Sequence, residues 1–141
     1  MITLSMKRIV TFFLSLFLIL LLGCTPEGPK PLRELLTQQS WRPFQVEADS
    51  ASPEQVENYR DFLEEMRITY QEAGSYTIEY LQGIAAEEKG QWTLSPDDSL
   101  ITQNPEQGGS RQLRIEDLKE ISFVYSLEDS IGGVRVFCVG E

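Results

Sequence analysis

RITYQEAGSYTIEYL, Arg67 to Leu81, is the stretch on which the fold turns. Ile68 and Tyr70 alternate with polar neighbours, Glu72-Ala73-Gly74-Ser75 is turn chemistry, and Tyr76-Thr77-Ile78-Glu79-Tyr80 alternates again. A strand turns successive side chains to opposite faces, so two such runs around a glycine turn predict a β-hairpin. The same period continues downstream. Glu88 to Leu94 carries Trp92 and Leu94, and Ser99 to Thr102 and Arg111 to Ile115 follow. Glu120 to Ser126 sets Ile121, Phe123 and Tyr125 on one face, and Val134 to Val139 closes the run. Ser95-Pro96-Asp97-Asp98, Asn104 to Gly109 and Glu128 to Gly133 supply the turns and loops between them.

Upstream of the hairpin the period changes to that of a helix. Ser52 is placed as an N-cap, Pro53 suits the first helical position, and Gln55 completes a capping box. Val56, Tyr59, Leu63 and Met66 then share one face, which predicts a helix from Pro53 to Glu65. Trp41 to Glu47 reads as the first strand, with Pro43 marking an edge or a bend. Pro31 to Leu36 reads as a helical turn leading into it. The result is eight strands and one helix, with short connections that favour antiparallel pairing of sequence neighbours. The expected fold class is mainly β: an eight-stranded antiparallel barrel with one helix after the first strand. Closure removes the two unpaired edges that an open sheet would leave. A two-layer β-sandwich fits the same pattern.

The N-terminal residues follow other rules. Lys7 and Arg8 precede an apolar run of 14 residues, Ile9 to Leu22, broken only by Thr11 and Ser15. This is the layout of a secretory signal, and it is short for a transmembrane helix, which needs about 20 apolar residues. Pro26, Gly28, Pro29 and Pro31 stop a helix from continuing beyond it. Met6, directly before Lys7, is an alternative start to Met1.

Leu21-Leu22-Gly23-Cys24 resembles the lipobox of bacterial lipoproteins. The resemblance implies cleavage between Gly23 and Cys24 and a covalent lipid on the Cys24 sulfur, where the thiol is the nucleophile that takes up a diacylglyceryl group. An ordinary secretory signal with a coincidental cysteine is the other reading. On the lipobox reading, residues 1–23 are a lipoprotein signal peptide, 24–35 a tether and 36–141 the folded domain. Thr25 follows the cysteine where an aspartate retains some lipoproteins at the inner membrane, so the outer membrane is favoured. Two or three acyl chains would hold the protein firmly in the bilayer.

Twelve basic against 22 acidic residues give a net charge of −10, and losing Lys7 and Arg8 with the signal makes it −12. Such a surface argues against nucleic acid as a partner and against close electrostatic contact with anionic lipid headgroups. With Cys24 acylated, Cys138 has no disulfide partner and is expected as a buried thiol.

Leu36 and Trp41, Gly74-Ser75-Tyr76, Gly90-Gln91-Trp92-Thr93-Leu94-Ser95 with Asp97-Asp98, and Leu113-Arg114-Ile115 with Leu118 are similar to small bacterial lipoproteins with a lipocalin-like domain. The similarity runs from Leu36 to Glu141, about three quarters of the chain. It implies a lipocalin-like β-barrel. The Gly-x-Trp of lipocalin first strands is Gln39-Ser40-Trp41 here, and the helix after the first strand is larger than usual.

The chain contains no histidine, which removes Ser-His-Asp and Cys-His catalysis and histidine metal sites. Gly108-Gly109 and Gly132-Gly133 lack the Lys-Ser/Thr of a phosphate loop. Glu87-Glu88 point to opposite faces if extended, and Asp97-Asp98-Ser99 lacks calcium-loop spacing. No catalytic residue, no metal and no cofactor beyond the Cys24 lipid are expected. The remaining candidates are Tyr70, Tyr76, Tyr80, Trp92, Phe123 and Tyr125, which line a cavity or fill it. Two functions stay open. One is a tethered module holding a small apolar or amphipathic ligand. The other is a packed barrel serving protein interaction or assembly in the envelope, with the charged helix from Pro53 as partner surface or lid.

Overall fold

The hairpin forms where its spacing demands. In the computed structural model, which describes residues 28–81 and 87–141, Met66 to Tyr70 pair with Tyr80 to Tyr76 in antiparallel register. Gly74 makes the turn with φ of +94°, a left-handed conformation that glycine adopts without a Cβ clash. The signal segment, Gly23 and Cys24 lie outside the described residues.

One unit spans Pro31–Glu141. Its elements are α1 (Leu32–Thr37), β1 (Ser40–Ala48), α2 (Pro53–Glu64), β2 (Met66–Tyr70), β3 (Ser75–Tyr80), β4 (Glu87–Leu94), β5 (Leu100–Pro105), β6 (Arg111–Leu118), β7 (Ser122–Asp129) and β8 (Gly132–Gly140). Every strand pairs antiparallel with its sequence neighbours, and β1 pairs with β8 from Trp41↔Gly140 to Ala48↔Val134. The sheet is therefore a closed eight-stranded barrel in meander order, and not a sandwich.

Closure changes the meaning of Pro43. β1 is not an edge, and the register shifts between Pro43 and Gln45, a bulge that accommodates a residue with no N–H to give. The strands also outrun their sequence patterns. β6 continues to Leu118, and β7 starts late, at Ser122 rather than Glu120, but runs on to Asp129. Ile121, expected in the strand on one face with Phe123 and Tyr125, lies instead in the turn before β7 and is 69% exposed. There its carbonyl accepts from the Gly140 N–H at 3.0 Å.

α2 carries the expected capping box: the Gln55 N–H donates to Ser52 Oγ at 3.3 Å, and the Ser52 N–H donates to Gln55 Oε1 at 2.9 Å. Replacing Ser52 by Ala is expected to cost about 1 kcal/mol in a urea-unfolding measurement. α1 forms where the helical turn is expected and runs for six residues, within the unit that spans Pro31–Glu141. Six residues do not hold a helix alone in water. Tertiary contact does so here: Leu35 and Leu36 are buried, and the Trp41 indole donates to the Leu36 carbonyl at 3.0 Å.

The two ends of the barrel differ. α1, the β2–β3, β4–β5 and β6–β7 turns and both chain ends of the β1–β8 pair gather at one. α2 lies at the other, between the end of β1 and the start of β2, with Val56, Tyr59 and Leu63 against the core.

Candidate functional site

Period two fills the barrel. Trp41, Ile68, Ile78, Ile101, Phe123 and Val136 point inward and are at most 2% exposed. Of the six candidate aromatics, Tyr70, Tyr76, Trp92, Phe123 and Tyr125 are buried with them, while Tyr80 is half-buried. Their rings touch: Tyr70 meets Trp92 at 5.2 Å and Tyr76 at 6.4 Å, and Phe123 meets Tyr125 at 5.1 Å and Trp41 at 5.5 Å. These side chains occupy the interior from the α1 end upward. Tyr80 lies apart, its ring 5.8 Å from Phe62 of α2.

Gly90 shows how tight the fill is. It faces inward on β4, and a Cβ there would stand 2.6 Å from the Tyr76 ring and 2.9 Å from the Pro105 Cα. Gly90→Val is expected to cost about 1–3 kcal/mol by overpacking, read as a lowered urea midpoint, while Gln91→Val on the exposed face changes little.

Polar groups gather at the α2 end. Glu88 points inward and Glu87 outward, as adjacent strand residues must. Arg111 makes a forked contact with both Glu88 oxygens, and Tyr76 donates to Glu88 Oε1 at 2.7 Å. Arg111 Nε also donates to Gln103 Oε1 at 2.5 Å, and Gln103 Nε2 donates to the Tyr70 hydroxyl at 2.6 Å. Gln103 is 1% exposed, a buried amide satisfied on both sides. Burial works against the Arg111 charge, but Glu88 more than offsets it and holds the guanidinium above its ordinary value. Burial, aided by the bond to Glu88, pushes the Tyr76 hydroxyl well up. Tyr59 of α2 donates to Asp129 at the end of β7, which fastens the helix over this mouth.

The Glu88 side chain is 19% exposed and that of Arg111 34%, so the pair is reached from solvent while its partners are not. Arg111→Met is expected to cost about 2 kcal/mol, below the range for a fully buried pair, because it strands the Glu88 carboxylate. Adding Glu88→Leu should restore part of that loss in a double-mutant cycle by urea unfolding.

The sequence marks Glu88 only as half of a carboxylate pair and Tyr59 only as part of an apolar helix face, and it does not single out Gln103, Arg111 or Asp129. Their signal was present, since Glu88 shares the parity of Trp92, Gln103 that of Ile101, and Arg111 that of Leu113. Which inward positions meet across the barrel is set by its closure, not by spacing along a strand. Cys138 is a free, buried thiol, and burial pushes its ionisation well up. An open groove of about 520 Å³ lies on the outer wall, lined among others by Glu47, Arg114, Glu128 and Arg135.

A closed eight-stranded antiparallel meander is the up-and-down barrel architecture that lipocalins share. The crystal structure of a lipocalin-like protein from Bacteroides uniformis is similar to this chain at 15% sequence identity and a TM-score of 0.47. The match covers 73% of this chain and 96% of that one. No protein-family model and no curated protein matches the chain.

Proposed function

We propose that this protein is a non-catalytic lipoprotein of the bacterial cell envelope, anchored through acyl chains on Cys24, whose barrel is a binding module working at its α2 end. The observation that carries the reading is the filled interior. Trp41, Tyr70, Tyr76, Trp92 and Phe123 occupy the space a deep ligand would need, and each is at most 2% exposed. Recognition is left to the α2 end. There Phe62 and Leu81 are about half exposed beside the acidic face of α2, which carries Glu54, Glu57, Asp61 and Glu64. Thr25 after the lipobox cysteine favours the outer membrane. Crosslinking in cells through a photoreactive residue at Phe62 tests the reading. A defined protein partner is the expected product, and recovery of the uncrosslinked protein alone counts against it.

A second reading has its own observation. The Glu88–Arg111 pair is a weak stabilising device for a barrel core, yet it stands at the mouth with tyrosines around it. It suits the polar group of a small amphipathic ligand held at the mouth. Native mass spectrometry of protein taken from cells would find a ligand that Arg111→Met loses. A ligand-free wild type counts against this second reading.

A further inference from the structure

The outer wall is polar over β2, β3 and β4, where Arg67, Thr69, Thr77, Glu79, Lys89 and Thr93 face out. Over β7, β8 and β1 the half toward α2 is polar too, with Glu47, Glu128 and Arg135, but the half toward α1 is not. Phe44 is 50% exposed, Val139 39% and Ile121 69%, and Phe137 and Val124 are half-buried beside them. Strand geometry makes these residues one patch. Phe137 stands opposite Val124, Val139 opposite Ser122, and Phe44 faces out between Pro43 and Gln45, beside Phe137 and Cys138. Single exposed apolar residues are ordinary, but a contiguous patch on an otherwise polar wall marks a contact surface.

What covers the patch follows from where the chain joins the barrel. Ile121 lies at the α1 end, and the carbonyl of Glu120 beside it accepts from the Gln38 and Gln39 amides that link α1 to β1. Seven residues lead from Cys24 to Pro31, a reach of at most about 25 Å when fully extended. If Cys24 is acylated, the α1 end is confined to that distance from the bilayer, and its apolar wall meets lipid at high effective concentration. Arg42, opposite Val139 on β1, pairs with Glu141 at 3.1 Å.

We propose that the patch of Phe44, Ile121, Val124, Phe137 and Val139 rests in the lipid headgroup layer and orients the anchored barrel with α2 away from the membrane. The inference rests on the acyl anchor of the proposed function, and the test separates the two. Full-length protein is produced in a host that processes lipoproteins, and intact mass reports acylation of Cys24. The acylated protein is placed in vesicles of phosphatidylethanolamine and phosphatidylglycerol, with and without brominated acyl chains. Phe44→Trp is compared with Thr77→Trp on the polar wall, with the wild-type emission of buried Trp41 and Trp92 subtracted. Ile121→Trp, at a turn, serves as a second probe of the patch should the first fail to fold.

The indole introduced at residue 44 or 121 is expected to shift to the blue and to lose about half its emission to bromolipid, as side chains 5–10 Å into the interface do, while that at residue 77 is unchanged. Acylated protein with equal quenching at both walls, or none, overturns the inference and leaves the anchor standing. A blue shift without bromolipid quenching, with a crosslinked dimer, overturns it in favour of self-association. An unmodified Cys24 overturns the anchor and this inference together.

Discussion

Raising the pH from 9 to 12 is expected to unfold the protein steeply, and before its tyrosines ionise in the folded state. Tyr70 and Tyr125 lie in the barrel interior with Cys138, and burial pushes all three ionisations well above their ordinary values. The negative charge that Cys138 would carry raises the two tyrosines further. Each group keeps its proton in the fold and releases it in the unfolded chain. Its stabilisation is thus fully present below the unfolded pKa and is lost as the pH climbs above it. Each contributes about 1.4 kcal/mol per pH unit, the thiol from about pH 8.5 and the tyrosines from about pH 10, so the slope reaches about 4 kcal/mol per unit. A domain of ordinary stability, about 5–15 kcal/mol, does not survive much of that slope. Urea midpoints by circular dichroism at successive pH values, with tyrosinate absorbance recorded in parallel, check it. A midpoint that stays flat to pH 11 would contradict the expectation. So would tyrosinate that appears while the fold persists. Cys138→Ala should remove the part of the slope that begins below pH 10.

Trp41→Ala is expected to cost about 3–5 kcal/mol, the range for deleting a large buried aromatic. Trp41 has no exposed surface and meets the Phe123 ring edge-on, with the ring planes 64° apart. Its indole N–H also answers the Leu36 carbonyl, one of the acceptors that the end of a helix leaves unpaired. The variant therefore loses core volume and the docking of α1 together. Two measurements follow: a collapsed urea midpoint, and hydrogen exchange in α1 faster than in the strands. Trp41→Phe keeps most of the apolar volume and loses the hydrogen bond, so α1 should loosen while the barrel is destabilised less. A loss under about 1 kcal/mol for Trp41→Ala would mean that α1 and Phe123 hold without it.

The strands and α2 were legible because their signals are local. Tyr76 to Tyr80 alternate whatever the rest of the chain does, and Ser52, Pro53 and Gln55 cap α2 within one turn. Strand ends were less legible. β6 reaches Leu118 because β7 is there to pair with it, Asp117 opposite Val124 and Leu118 opposite Phe123. α1 was legible only as a turn, because its stability comes from Leu35, Leu36 and Trp41 rather than from its own six residues.

The candidate site divides in the same way. Parity along each strand was enough to nominate Tyr70, Tyr76, Trp92, Phe123 and Tyr125 as inward residues. It did not distinguish lining a space from filling it, since that depends on what arrives from the opposite wall. Glu88, Gln103 and Arg111 stand on three strands, and their hydrogen bonds, like those to Tyr70 and Tyr76, exist only once the strands pair in register, Gln103 opposite Arg111. The apolar wall has the same origin: Phe44, Val124 and Phe137 are far apart in the chain and neighbours only through the β1–β8 and β7–β8 pairings. Period and caps, which act over a few residues, are written in the chain. Who meets whom across a closed sheet is set by register, and register is a property of the assembled barrel.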